Sequence, residues 1–284
     1  MVEKSNETVG CLPYHLTRRY GSTSIVMPPL TMTMGPWIRY PPGQRHHNRL
    51  SHENEVIPQL IDALPPHCYF NQRFHPSQTN WLPLYWKGYD QNTRYTYVLN
   101  DLADLDKVYS GFENSVRRDI AKAQTRVTVE VSDDVELFYR INSYSFTKNG
   151  IEVPYSLSFV KQLDAACKQQ GRRRILLARD ASGEVVAANY LVWDDMATYS
   201  LMSGVDPNIR KNGAAKLLTW EAIKFAQEVS GTFDFEGSML QAIERNNRTF
   251  GAVQVPYLNI SKVNAVYLKL LRGFMQLMPS APRG

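Results

Sequence analysis

The chain has 284 residues, a formal net charge of +5 and a hydrophobic share of 43%. This share, with sixteen tyrosines and five tryptophans, excludes a disordered or low-complexity chain and favours a globular fold rich in strands. No apolar run approaches the roughly twenty residues that cross a bilayer, and the N-terminus lacks an apolar signal-peptide core, so we predict a cytoplasmic protein.

The first hundred residues predict short strands, one long loop and one short helix. Residues 1–16 read as a strand, a polar turn and a second strand. The loop RYPPGQRHHNRLSHE (39–53) precedes a short helix near Ile57 to Leu64. Residues 81–100 predict two strands, and a change to helical composition near Asp101 predicts a domain boundary there.

The next segment predicts four helices. Two short ones lie between residues 101 and 125, where one apolar face carries Phe112, Val116, Ile120 and Ala123. The third helix begins after Asp133-Asp134, which suits a cap and an acidic first turn. Ser156 predicts the cap of the fourth, and Gly171 predicts its end.

Three strands joined by tight turns follow, in residues 173–180, 184–193 and 197–205. They predict an antiparallel meander. A helix then carries Leu217, Trp220, Ile223 and Phe225 in register, with Gly231 as a C-terminal cap. A short strand in TFDFEGS, a helix in MLQAIERNNRTFG, a strand in AVQVPYLNIS and a last helix complete the predicted order.

The spacing of cysteine and histidine predicts neither a disulfide framework nor a metal site. Cys11, Cys68 and Cys167 are isolated and far apart, which indicates free thiols. The histidines of loop 39–53 lie among Pro and Gly, which favours a solvent-facing loop. We therefore predict no metal.

The stretch RKNGAAKLL (210–218) predicts a phosphate site at the start of a helix. The first N–H groups of a helix lack intrahelical partners and bind anions where nothing bulky blocks them. Gly213, Ala214 and Ala215 leave such an approach open, and Arg210 and Lys211 add positive charge. A small-residue helix start that packs on a sheet is the alternative interpretation.

Arg210, Gly213 and Ala215 match the pattern (Gln/Arg)-x-x-Gly-x-(Gly/Ala), which holds the acyl-CoA pyrophosphate in GNAT-fold acyltransferases. With FENSVRRDIAKAQT and FDFEGSMLQAIERNNRTFGAVQVPY, the chain resembles the branch related to the Fem peptidoglycan aminoacyltransferases, also called BioF2-like acetyltransferases. The resemblance covers most of residues 80–262. One departure is that Asn246, Asn247 and Arg248 precede Phe250-Gly251, where Fem enzymes tend to have Phe-Lys.

The resemblance implies an α+β (mixed α/β) fold of tandem GNAT-like halves, with mostly antiparallel twisted sheets flanked by helices. Residues 1–100 would form a degenerate half with a truncated start, and residues 101–284 the acyltransferase half. It further implies an acyl-CoA or aminoacyl donor, an amine acceptor and no metal.

Three groups of site residues are predicted within this frame. The donor would contact the strand edge and helix start at Ser203, Gly204, Arg210, Lys211, Asn212, Gly213, Ala214 and Ala215. Asp234 and Glu236, which share a face of a predicted strand, are candidate bases, and Tyr257 is a candidate acid. The candidate acceptor contacts are Arg117, Arg118, Lys122 and Arg248. The alternatives are that the carboxylates bond backbone at a strand end and that the cations form a solvated face.

Three functions remain open at this stage. The first is transfer of an acyl group from acetyl-CoA or another acyl-CoA to an amine. The second is Fem-like transfer from aminoacyl-tRNA to a cell-wall precursor, and the third is a GNAT-like module that binds an anionic partner without catalysis. The acceptor would be a small or peptide-like amine, with a nucleotide-sugar or lipid-linked precursor as an anionic candidate.

Overall fold

The computed structural model describes residues 1–19, 21–208, 213–237 and 239–265. Packing contacts divide the described chain into two units: residues Met1–Tyr95 with residues 256–265, and residues Thr96–Val255. Helices and sheets occur in both, so the predicted α+β class is confirmed. The predicted final helix lies almost wholly outside the described residues.

Strands and helices follow one another along the described chain with these bounds. The strands are β1 (Val2–Lys4), β2 (Glu7–Cys11), β3 (His15–Arg19), β4 (Ser22–Val26), β5 (Trp37–Ile38), β6 (Tyr69–Arg73), β7 (Asp90–Leu99), β8 (Val127–Ser132), β9 (Arg173–Asp180), β10 (Val185–Trp193), β11 (Thr198–Val205), β12 (Phe233–Asp234) and β13 (Val253–Val263). The helices are α1 (His46–Asp62), α2 (Leu82–Trp86), α3 (Leu105–Ser110), α4 (Asn114–Gln124), α5 (Val135–Thr147), α6 (Leu157–Gln169), α7 (Ala214–Val229) and α8 (Gln241–Arg248).

The first unit contains two strand arrangements and helix α1. One sheet has the order β1-β2-β5, and the other runs β3-β4-β6-β13, with β4 and β6 parallel and β6 and β13 antiparallel. Its buried core includes Ile25, Val56, Phe70 and Ile260. The predicted pair of strands at the N-terminus is confirmed as β1 and β2, which pair antiparallel.

Helix α1 begins at His46, so the prediction of a loop through residue 53 was wrong. The reason is a tertiary contact: Glu53 is buried, and its carboxylate accepts hydrogen bonds from Tyr40 Oη at 2.7 Å and Arg49 Nε at 3.2 Å. These partners satisfy a charged group that the local pattern assigns to a solvated loop. The helical first turns therefore extend well before the apolar residues that predicted them.

Helix α2 occupies residues where a strand was predicted. Its aromatic residues favour strands by propensity, but Pro83 sits in the first turn, where its missing N–H costs nothing. Trp81 and Tyr85 contact each other edge to face across this turn, with ring centroids 5.3 Å apart. Only β7 is confirmed of the two strands predicted in residues 81–100.

The second unit contains the predicted meander, with β9, β10 and β11 joined as antiparallel neighbours. Its strand order is β7-β12-β11-β10-β9-β8, and the β11–β12 pair is parallel. Strand β8 was not predicted, and it pairs along β9 from Val127 to Ser132. Residues Val185 to Leu191 of β10 are all buried, so both faces of this strand are covered.

The helices of the second unit confirm most of the predicted signals. Asp134 accepts from the backbone N–H groups of Glu136 and Leu137, and Ser156 accepts from Phe159, as N-caps do. The apolar face of α4 packs with that of α7 in one buried core. In this core, Tyr109 and Phe112 contact Trp220, with ring centroids 5.1 and 5.4 Å apart.

The contact grouping differs from the predicted division at residue 101. Residues 256–265 belong to the first unit because β13 pairs with β6, for example Asn259 with Arg73. The division into a degenerate half and an acyltransferase half stays a prediction.

Candidate active site

A cavity of about 320 Å³ lies in the second unit where β11 separates from β12. The two strands pair only at Thr198 and Tyr199, although β11 continues to Val205. A register shift also leaves one extra residue, Leu201, in β11, because Leu191 pairs with Ser200 and Tyr190 with Met202. Residues of β10, β11, α7 and α8 line the resulting space.

The first turn of α7 opens onto this cavity. Gly213 precedes the helix with a left-handed backbone, φ +78°, and its carbonyl accepts from Leu217 N at 3.0 Å. Ala214 is buried, whereas Ala215 is exposed and lines the cavity. No side chain of the described residues caps this helix start. Predicted donor contacts Arg210, Lys211 and Asn212 lie outside the described residues.

Two glycines of the predicted donor site have packing roles. A Cβ on Gly213 would lie 2.4 Å from the carbonyl oxygen of Asp119 in α4. A Cβ on Gly204 would lie 2.3 Å from the carbonyl oxygen of Ile141 in α5. The glycines therefore let backbones approach closely, and Gly204 also lines the cavity. Its contact with the donor stays a prediction. The open side of the helix start is at Ala215.

Of the four basic residues predicted to bind the acceptor, two interact with neighbouring groups of the chain and two are exposed. Arg117 donates to the Ser110 carbonyl at 2.6 Å and to the Asn114 side chain, so it ties α4 to the preceding turn. Arg248 pairs with Glu244 at 2.9 Å, four residues earlier on α8. Arg118 and Lys122 are exposed on α4. None of the four is among the described residues that line the cavity.

Arg118 and Lys122 lie on the helix that packs against the start of α7. Between them is Asp119, whose carbonyl lies against Gly213 and whose carboxylate pairs with Lys216 Nζ at 2.7 Å. Lys216 also lines the cavity.

The two predicted bases lie where β12 ends. Asp234 is buried, and its Oδ1 accepts from Thr96 Oγ1 at 2.5 Å and from Glu236 N at 2.7 Å. Burial raises the pKa of the Asp234 carboxyl, and these two hydrogen bonds oppose the rise. The strand stops at Asp234, and Glu236 has φ +50°, so the predicted strand alternation that put both carboxylates on one face was wrong.

The tyrosine predicted as a general acid lies elsewhere in the chain. Tyr257 belongs to the first unit, where it is buried on β13. Its role as an acid stays a prediction. In the second unit, burial and the nearby carboxylates of Asp194 and Asp234 raise the pKa of Tyr199, which therefore stays protonated at neutral pH.

Polar side chains on the cavity wall were not predicted as site residues. Asn189 is buried in β10, and its Oδ1 accepts from Ser200 Oγ at 3.1 Å. Asn247 is buried on α8 and also lines the cavity. A polar residue inside the apolar run VVAANYLVW is a signal that could have pointed to Asn189.

Residues 110–238 match the sequence model of a family described as the acetyltransferase (GNAT) domain. This segment is therefore similar in sequence to GNAT acetyltransferase domains. The match bears out, for these residues, the resemblance to GNAT-type acyltransferases inferred from the motifs. It includes α4, the meander, α7 and β12, which are the elements around most of the cavity.

Solved structures of other proteins are similar in fold to most of this chain. FemX matches at 12% identity and a TM-score of 0.70 over 95% of this chain and 88% of its own. L-PGS from Bacillus licheniformis matches at 10% identity and a TM-score of 0.53, over 94% of this chain and 86% of its own. A tandem GNAT protein from the clavulanic acid biosynthesis pathway matches at 11% identity and a TM-score of 0.52, over 92% of this chain and 80% of its own. No curated protein matches the chain in sequence.

The described part of the chain offers no cluster of three His, Cys, Asp or Glu side chains that could hold a metal ion. The three cysteines are free and half-buried. Within the same described residues, no helix is long and apolar enough to cross a membrane.

Proposed function

We propose that the protein is an N-acyltransferase that moves an acyl group from acyl-CoA to an amine. The observation that carries this proposal is the cavity between the separated strands, with the exposed Ala215 of the first turn of α7 at its wall. The GNAT family match supports it, because acyl-CoA is the donor that this family's signature implies.

The donor would bind with its pyrophosphate at the start of α7. Ala215 is exposed at this turn and has a small side chain, and Arg210, Lys211 and Asn212 adjoin the turn in sequence. The pantetheine arm would follow β11 past Ser203, since the backbone of that strand has no β12 partner beyond Tyr199. The thioester would then enter the cavity.

The reaction would be direct attack of a neutral amine on the thioester carbonyl. A new C–N bond forms, the C–S bond breaks, CoA leaves as the thiolate, and the nitrogen loses one proton. Asp234 or Glu236 is the proposed proton acceptor, and the raised pKa of Asp234 supports this role. Holding donor and amine together supplies most of the rate gain.

The acceptor would be a small or peptide-like amine. The exposed charges of Arg118 and Lys122 support an acceptor with an anionic carrier, such as a nucleotide-sugar or lipid-linked precursor.

Calorimetric titration with CoA tests the donor site. Ala215→Leu covers the first turn of α7, so we expect CoA affinity to fall by roughly tenfold or more. Ala166→Leu changes an exposed helical alanine of α6 and serves as the matched control, with wild-type affinity expected. Equal CoA affinity in wild type and Ala215→Leu would reject the proposed donor site.

The similarity to FemX supports a second candidate, a Fem-like transfer from aminoacyl-tRNA to a cell-wall precursor. A tRNA donor would neutralise many phosphates, so its binding would weaken steeply with salt. Tight, salt-sensitive tRNA binding without measurable CoA binding would favour this candidate over the acyl-CoA donor.

A further inference from the structure

Asn247 carries a buried amide donor without a partner. Its side chain lies on α8 and is 4% exposed. Within the described residues its Nδ2 has no hydrogen-bond acceptor, while its Oδ1 accepts from Asn246 Nδ2 at 3.5 Å. Donor groups buried in this state are rare, because each loses its bonds to water without replacement.

The position of Asn247 suggests what would satisfy this donor. Asn247 lines the same cavity as Phe235 and Phe250, which are themselves buried, whereas Ala215 is exposed at the helix start. A donor molecule whose phosphates bind at α7 and that extends into this cavity would pass Asn247.

The chemistry of the cavity wall indicates an uncharged acceptor atom. Among the described lining residues, the charged side chain is Lys216, which belongs to the start of α7. The polar groups near the middle of β10 and β11, Asn189 and Ser200, are neutral and bond each other. The uncharged acceptors of an acyl-CoA are the thioester carbonyl oxygen and the amide carbonyl oxygens of the pantetheine arm, and of these the thioester oxygen gains negative charge in the reaction.

We propose that Asn247 Nδ2 donates a hydrogen bond to the thioester carbonyl oxygen of the donor. This inference rests on the proposed acyl-CoA function. Attack by the amine moves an electron pair onto that oxygen, and the bond from Nδ2 strengthens as negative charge develops. The charge returns to reform the carbonyl as the C–S bond breaks and CoA leaves as the thiolate. Asn247 would thus be a catalytic residue.

The test compares CoA with acetyl-CoA, since these two ligands differ only in the acyl group. In wild type we expect acetyl-CoA to bind more tightly than CoA by calorimetry. Asn247→Leu removes the amide at similar size, so it should bind both ligands equally, with CoA affinity unchanged. Its melting temperature without ligand should be no lower than that of wild type, because an unsatisfied polar group has been removed. Arg245→Leu, at an exposed position of α8, is the matched control.

A second variant covers the case in which Asn247→Leu does not fold. Asn247→Asp puts an acceptor in place of the donor and should also lose the preference for acetyl-CoA. An unchanged preference in the folded variants would overturn the inference while the proposed function stands. Equal loss of affinity for both ligands would also overturn it, because the contact would then be to the pantetheine arm or structural. Failure of wild type to bind either ligand would overturn the proposed function and this inference with it.

Discussion

At the scale of single residues, Asp234 links local structure to the proposed chemistry. Its carboxylate accepts hydrogen bonds from Glu236 N and Thr96 Oγ1, and Thr96 Oγ1 accepts in turn from Gly237 N at 3.0 Å. These bonds hold the chain just after β12. The structure therefore contains the backbone hydrogen bond at a strand end that was the alternative interpretation of this carboxylate. This bonding is compatible with a role as base, because burial keeps the pKa of the group above its ordinary value.

Asp234→Asn should change how stability depends on pH. Because the pKa of Asp234 is raised on folding, its stabilising contribution is complete below the unfolded-state pKa, about 3.9, and is lost as pH rises through the folded-state value. The variant keeps an oxygen for Thr96 and Glu236 but does not ionise. The unfolding free energy of wild type minus that of the variant should therefore fall from roughly pH 4 to pH 7, measured by urea denaturation.

Asp195→Asn, at an exposed carboxyl, controls for the loss of one negative charge in that series. A difference between wild type and Asp234→Asn that is constant over this range, or that grows with pH, would show that burial does not raise this pKa.

At the scale of elements, the start of α7 can pack closely against α4 because Gly213 has no side chain. Gly213→Ala would place Cβ 2.4 Å from the Asp119 carbonyl and would also strain a backbone at φ +78°. Gly171→Ala has the same kind of strain, at φ +63°, but its Cβ would meet nothing within 4 Å. We expect Gly213→Ala to lower the unfolding free energy by roughly 1–3 kcal/mol more than Gly171→Ala. Equal costs in urea denaturation would mean that the helix contact is not tight.

Local sequence signals were sufficient to predict many helices and strands. They failed for elements whose conformation depends on contacts with residues distant in sequence. The N-caps Asp134 and Ser156, the meander, and the buried stripe of α7 each follow from neighbouring residues, and all were predicted. Helix α1 begins early because Tyr40 and Arg49 satisfy the buried Glu53. The short strand β8 depends on a partner about fifty residues away, and no local pattern identified it.

At the scale of the whole molecule, the family could be predicted and the details of the site could not. The small-residue start of α7 and its place after the meander indicated a resemblance to GNAT-type acyltransferases, which the family match bears out for residues 110–238. The unpartnered amide of Asn247 becomes visible only when α8 is seen beside the cavity. Likewise, the contact of Gly204 with α5 joins residues more than sixty positions apart, which spacing along the chain cannot reveal.

The central claim is acyl transfer to an amine, and the most direct measurement is amine-dependent release of CoA from acetyl-CoA. The full chain would be incubated with acetyl-CoA and a panel of small and peptide-like amines, with free thiol and N-acetylated product quantified together. We expect thiol and product in equal amounts, with both reduced in Ala215→Leu and unchanged in Ala166→Leu. Binding of acetyl-CoA without thiol release above the amine-free background, for every amine in the panel, would contradict the claim.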